Sequence, residues 1–258
     1  AFSSVQMMKN LNLWKKIGDT AQPISNIKVS HGTIERGPAS ATLHFNNADI
    51  EESPMAQMLE DRFLRQCLIQ KIKENKLIDL IEQRKIIEID DLNKQKQLTL
   101  DNSSKLKTSL IVASDGINSP TAKAFGIKKA GWKYKQRGLV CAVNHEYSSN
   151  NTAYQYFLPE GPLAILPIKN NTASIVWTES IQNASAISEM DDEEYLSILQ
   201  TRFGDFLGKL KLTGKRLSFP LKLSISEKYV SDKFAVIGDA AHGYHPIAGQ
   251  GLNAGLRD

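Results

Sequence analysis

Apolar residues recur along the chain with more than one period, and each change of period marks a change of expected element. Val5, Met8, Leu11 and Trp14 stand three apart within 4–17, which predicts one helix that Gly18 ends. Two alternating stretches, 27–31 and 41–45, lie between polar and glycine-containing turns and read as strands. Ser53 and Pro54 have the residue types of an N-cap and a first helical position, and Met58, Phe63, Leu64, Cys67, Leu68 and Ile72 then form one mostly apolar face. Over 77–113 the pattern shortens into strands at 77–81, 85–89, 97–100 and 106–113. The last ends in Leu110-Ile111-Val112-Ala113, a run that suits a buried strand delivering a turn at its carboxyl end.

From Trp132 to Glu179, segments 138–145, 153–158, 163–168 and 173–178 alternate with turn residues at a spacing of about ten, the rhythm of an antiparallel sheet. Residues 191–206 predict a helix opening on acids that complement its dipole. A strand follows at 217–226. Phe234-Ala235-Val236-Ile237 is again a buried-type strand, running into Gly238-Asp239, a glycine-rich turn and the start of a helix. The expected class is α/β, with two sheet systems interleaved along the chain.

Composition narrows the class further. Of 258 residues 41% are hydrophobic, which excludes collagen-like, disulfide-scaffold and wholly disordered readings. Lysine and arginine (32) outnumber aspartate and glutamate (28) to give +4, but no run of like charge is long and no aromatic residues are interleaved with the lysines of 71–107. A nucleic-acid partner is therefore not expected. No apolar run approaches the roughly 18 residues of a membrane span, which leaves peripheral contact open. Cys67 and Cys141 lack CxxC spacing and read as buried free thiols of a reducing compartment, hence a cytoplasmic location. The chain begins at Ala1 with no signal-peptide pattern and stops at Asp258 with no helix-ending residue, so both ends read as cut.

Two strand-to-turn junctions carry the candidate chemistry: Ala113-Ser114-Asp115-Gly116-Ile117-Asn118-Ser119, and Ile237-Gly238-Asp239-Ala240-Ala241-His242. Ligands of open α/β sheets gather beyond the carboxyl ends of strands, where an aspartate can accept from sugar hydroxyls. Either junction alone reads more readily as an ordinary turn. After the second come Pro246 and Gly249-Gln250-Gly251-Leu252-Asn253-Ala254-Gly255, which leave room for a flat or anionic group against the main chain of a helix start. Close packing alone would also suit those glycines. His242 and His245 are three apart, but with no third ligand evident a metal is not expected.

Gly238-Asp239-Ala240-Ala241-His242 with His245-Pro246, Gly249-Gln250-Gly251 and Asn253 resembles the FAD-ribityl motif of class A flavoprotein aromatic hydroxylases, and Asp115-Gly116 with Asn118-Ser119 resembles their Asp-Gly motif. Within that class the chain is similar to the FAD-dependent hydroxylases of ubiquinone biosynthesis. Residues 13–17, the 59–68 stretch, Gln155-Tyr156-Phe157-Leu158-Pro159, Gly161-Pro162-Leu163-Ala164 and Gly255-Leu256-Arg257-Asp258 carry that likeness. The resemblance implies a Rossmann-like FAD-binding domain, contributed by 1–26, 51–130 and 227–258, interleaved with an antiparallel-sheet substrate domain of 27–50 and 131–226. It implies an enzyme in which NAD(P)H reduces FAD and O2 supplies the oxygen that a C4a-hydroperoxyflavin passes to a polyprenylated phenol. A ubiquinone-biosynthesis complex or the inner membrane surface would be its partner.

By the same resemblance Asp239, with Gly238, would take the ribityl hydroxyls. Pro246 would lie near the ring, and Gly249, Gln250, Gly251, Leu252 and Asn253 along its pyrimidine edge. Asp115 and Gly116 would lie near the pyrophosphate and the nicotinamide route. No protein general base is nominated. Two departures accompany the match. The arginine usual after the Asp-Gly motif is replaced by Ala122, with Lys123 beside it as a looser point charge. No GxGxxG occurs in the chain, so the resemblance implies a fragment without the N-terminal GxGxxG unit and the C-terminal helices, with weak or no FAD retention by itself. A class A hydroxylase of a small soluble aromatic acid, or an inactive truncated flavoprotein-fold module, are the competing expectations.

Overall fold

The computed structural model describes residues 1–49 and 54–258, which form two compact units: 1–74 with 135–221, and 75–134 with 222–258. Residues 1–26 and 54–74 fall in the unit of the large sheet.

In the first unit the alternation of 138–178 becomes a meander. Lys129–His145 pairs antiparallel with Thr172–Ser180, which pairs with Gly161–Ile168, which pairs with Thr152–Leu158. Asn26–Thr33 then joins in parallel, Ile27 opposite Ala153, and Gly37–Asn46 closes the edge. Alternate residues (Leu139, Cys141, Val143; Leu163, Ile165; Ile175, Trp177) fill a core with Ala184, Ile187, Tyr195, Leu199 and Phe203. Those five come from two helices, Ile181–Glu189 and Asp192–Phe203. The second helix starts where the acids predicted: the Asp191 carboxylate accepts the N–H groups of Glu193 and Glu194, both at 2.9 Å. The first is capped by Ser180, which accepts from Asn183 at 3.2 Å. Each fully buried aliphatic or aromatic side chain contributes about 1.5–3 kcal/mol of transfer free energy.

One charged pair sits inside this core. Glu179 is 1% exposed, accepts from the Trp177 indole at 3.0 Å and the Asn183 amide at 3.2 Å, and faces Arg202 at 3.6 Å. The Arg202 guanidinium lies 4.7 Å from the Trp177 ring centre. Burial pulls its pKa down, the neighbouring acids oppose that, and an arginine stays charged throughout.

Several elements depart from the sequence pattern. The single helix expected over 4–17 is two, Phe2–Asn10 and Trp14–Ile17, because Asn12 adopts φ +57. Met8, Leu13 and Ile17 are buried, whereas Leu11 is exposed. The expected Ser53 cap lies outside the described residues. The helix itself is Asp61–Glu74, since Ala56–Met58 pairs as a strand with Gln22–Ile24. Leu64 and Cys67 are its buried residues.

The second unit holds two small sheets. Ile86–Asp91, Lys96–Leu100 and Lys105–Thr108 form an antiparallel meander. The strand expected at 77–81 is absent: that stretch pairs with no other strand among the described residues, and Leu77 is 93% exposed. The strand expected at 106–113 is two. The Thr108 hydroxyl donates to the Leu110 carbonyl at 2.7 Å and accepts its N–H at 3.3 Å, which bends the chain between them. The other sheet runs Val230–Ser231, Phe234–Val236, Ile111–Ala113. Its last two strands are parallel, Phe234 opposite Ile111 and Val236 opposite Ala113. Beneath them Ile111, Ala113, Ala122, Phe234, Val236 and Ala241 form a core, with Phe125 stacked 3.9 Å from Phe234.

Candidate functional site

Parallel pairing sends two strands out of the sheet in one direction. The strands Ile111–Ala113 and Phe234–Val236 therefore deliver the Asp-Gly and Gly-Asp turns at the same sheet end, and the Ile237 N–H donates to the Ala113 carbonyl at 3.0 Å just where they leave it. Every residue nominated from the sequence lies in this one unit.

The two turns are used differently. Asp115 is engaged internally: it accepts from the Ser119 hydroxyl and, at 3.1 Å, from the Thr121 N–H. Ser119 in turn caps the short helix Pro120–Ala124 by accepting from Ala122 at 2.9 Å. Partial burial pushes the Asp115 carboxyl up, the bonds from Ser119 and Thr121 outweigh it, and its pKa lies below the ordinary value. Asp239, in the 3-10 turn Gly238–Ala240, is exposed and makes no hydrogen bond among the described residues.

Beyond the buried stretch 240–243 the chain comes back to the surface. His245 caps the turn Pro246–Ala248 by accepting the Ile247 N–H at 3.2 Å, and Tyr134 meets its ring edge-on at 5.1 Å. Burial lowers the His245 pKa. Gly249 follows at φ +57, a left-handed conformation that glycine takes without strain, and a Cβ built there or on Gly251 would meet nothing within 4 Å. Asn253 donates to the Gly249 carbonyl at 3.1 Å and holds the curve. Pro246, Gly249, Gln250, Gly251 and Leu252 are all exposed.

Some contacts at these turns carried no signal in the sequence. Besides Lys123, foreseen as a cation beside the Asp-Gly turn, two further lysines are tied to that turn. Lys129 donates to the Ile117 carbonyl at 2.9 Å and Lys222 to the Asn118 side chain at 3.0 Å. Burial, then the Lys222 charge, lowers the Lys129 pKa, while Asp115 and Asp239 oppose them. Asp258 accepts from His242 and from the Gly238 N–H. Gly255 lets that end of the chain approach, since a Cβ there would stand 3.0 Å from the Gly238 Cα.

These features fit one side of an FAD. An uncommitted carboxylate suits polyol hydroxyls. A glycine-lined main chain with open space before it, flanked by the exposed Ile247 and Leu252, suits a flat ring with a polar edge. Asp239, Gly249, Gly251 and their neighbours are the residues that would hold it.

The family described as FAD binding domain matches residues 3–258. The ubiquinone hydroxylase UbiL of Rhodospirillum rubrum is 34% identical over all of this chain and 59% of its own length. The mitochondrial ubiquinone biosynthesis monooxygenase COQ6 of Dictyostelium discoideum is 28% identical over 99% of this chain and 62% of its own. The chain thus spans about six tenths of these relatives. The crystal structure of p-nitrophenol 4-monooxygenase PnpA from Pseudomonas putida superposes with a TM-score of 0.76 at 15% identity, covering 99% of this chain and 65% of that one. That likeness shows the mixed α/β fold. With the family match spanning nearly every residue, this chain belongs to the FAD-binding domain family.

Proposed function

We propose that this chain forms the ribityl- and ring-binding side of the FAD site in a hydroxylase of ubiquinone biosynthesis, acting on a polyprenylated phenol with NAD(P)H as reductant. The observation that carries the proposal is the pair of parallel strands bringing the Asp-Gly and Gly-Asp turns to one sheet end. It occurs in a chain 34% identical to a protein named ubiquinone hydroxylase. When bound, FAD would supply the redox chemistry: acceptance of a hydride from NAD(P)H and activation of O2, of which one oxygen atom goes to the phenolic ring and the other to water.

The chain's own residues bind and orient. Asp239, at the Gly238 turn, accepts from the ribityl hydroxyls. The main chain of Gly249, Gln250 and Gly251, with Leu252 and Asn253, lies against the polar edge of the ring, and Pro246 flanks it. Asp115, already committed to Ser119 and Thr121, fixes the turn on which Gly116 meets the pyrophosphate and the nicotinamide route. A polyprenyl tail resides in lipid, which fits peripheral association with the inner membrane. No helix among the described residues is long and apolar enough to cross one.

The test uses the full-length protein with FAD, NADH or NADPH, and a prenylated phenol, reading flavin absorbance, nucleotide oxidation and the mass of the product. A product heavier by one oxygen atom is expected. Hydroxylation of a small aromatic acid in preference to the prenylated phenol would replace the substrate assignment, and a protein that takes up no flavin would overturn the reading. Asp239→Ala is expected to weaken flavin binding by at least about tenfold, the scale of one lost charge-assisted bond.

A further inference from the structure

One polar arrangement in the 75–134 and 222–258 unit is left over once the FAD contacts above are assigned. His242 is 4% exposed, in a two-residue strand opposite Ile225. Its Nε2 lies 3.0 and 2.9 Å from the two carboxylate oxygens of Asp258. An ionised carboxylate only accepts, so His242 carries hydrogen on Nε2 and donates. The second of those oxygens also accepts the Gly238 N–H at 2.7 Å. Tyr244 stacks 4.9 Å from the imidazole, at 25° to it, and Tyr229 lies tilted at 6.3 Å. The imidazole is thus clamped by rings and oriented by a carboxylate.

Asp258 stands at the far end of the glycine-rich segment, and Gly238 is the residue immediately before Asp239. One carboxylate therefore closes 238–258 into a ring: it fixes the Gly238 amide, hence the direction in which the Asp239 side chain leaves the turn, and pins the end of the helix Gly251–Gly255 against that turn. The approach of Gly255 to Gly238 serves the same closure. We infer that Asp258 and His242 are a positioning pair for the cofactor, setting the relative placement of the ribityl-binding aspartate and the glycine-lined main chain without touching the cofactor themselves. The inference rests on the FAD reading proposed above. It differs from mere structural support in a specific way: disturbing the pair must change how flavin is held while the fold survives.

The test measures FAD affinity of the full-length protein by flavin fluorescence, well below the unfolding temperature, with the visible flavin spectrum recorded alongside. Asp258→Ala and His242→Ala are each expected to weaken FAD at least about tenfold and to shift the flavin bands, and the double variant to be no worse than either single one. His242→Gln, whose amide nitrogen can occupy the place of Nε2, is expected to recover most of the affinity and the wild-type spectrum. Asp258→Asn, which keeps one acceptor for Gly238 but loses the charge, is expected to fall between. If Asp258→Ala does not fold, the His242→Ala, His242→Gln and Asp258→Asn series carries the same test. Wild-type affinity and spectrum in the folded Asp258 variants would overturn the inference, as would losses that add in the double variant or that glutamine fails to recover. A wild-type protein that binds no FAD sinks the parent reading as well; normal binding by wild type and variants alike sinks only this one.

Discussion

The two units enclose their polar groups in opposite ways. In the large-sheet unit one charged pair is inside: Glu179 and Arg202 are buried beside Trp177 in a core closed by Tyr195, Leu199 and Phe203. In the second unit a smaller core under two short parallel strands supports a rim where Asp239, Pro246, Gly249, Gln250 and Leu252 stand exposed. The contrast separates two tasks that one polypeptide must meet. A sheet whose central strands bury alternate positions supplies stability, and a bare, glycine-rich rim supplies a surface that a ligand can complete.

That contrast can be broken by measurement. Glu179→Ala leaves the Arg202 guanidinium enclosed without its partner and is expected to lower the unfolding free energy by about 3–5 kcal/mol in urea titrations. Leu199→Ala, which opens a cavity under the sheet, is expected to cost about 2–5 kcal/mol by the same measurement. If either variant unfolded at the wild-type midpoint, the large sheet would not be the stability core described. In the second unit the Asp115 and Asp258 carboxyls have folded pKa values below the ordinary one. Burial pushes each up, and the bonds from Ser119 and Thr121, and from His242 and Gly238, prevail. Their contribution to stability is therefore present above about pH 4, the ordinary carboxylate range, and is lost as pH falls through the folded values. Asp115→Asn is expected to flatten that part of the profile between about pH 2 and 5. Asp239→Ala should have the smallest effect on folding, within about 0.5 kcal/mol, and a larger loss would mean that the aspartate supports the fold as well as the ligand.

What the sequence shows and what it hides follow one rule. Alternation is a local property, so Leu163, Ile165, Ile175 and Trp177 announce their strands, and the limits 217–226 are those observed. Turn chemistry is equally local, which is why the Asp-Gly and Gly-Asp junctions stand out. Pairing over long range is not local. Nothing in Asn26–Thr33 specifies a parallel place beside Thr152–Leu158, and nothing in Ala56–Met58 distinguishes a strand from the opening of a helix until Gln22–Ile24 lies opposite. The apolar stretch at 77–81 has the composition of a strand but no ladder partner among the described residues. At the site, Asp239 and the glycines were legible as a motif. Asp258 was legible only as the close of a family-like stretch: its contacts depend on a chain reversal that brings it to His242 and Gly238. The internal engagement of Asp115 was hidden too, because a carboxylate four residues before a serine reads the same whether it faces a ligand or a helix cap.

The parallel ladder between Ile111–Ala113 and Phe234–Val236 has a consequence for the order of assembly. The whole of 135–221 is threaded between these strands, so synthesis from the amino end completes the meander before the second strand exists. The loop closed by their meeting is one of the longest contacts in the chain, and such contacts are entropically slow to form. The rim carried by the second strand thus forms only after the meander strands of the large sheet have been made. Before that moment the first strand waits as an unpaired apolar edge, Val112 among its residues. A nascent chain stalled there would expose that edge, and substitutions that delay the large sheet would reach the rim as a defect in timing, without altering any residue of the rim itself.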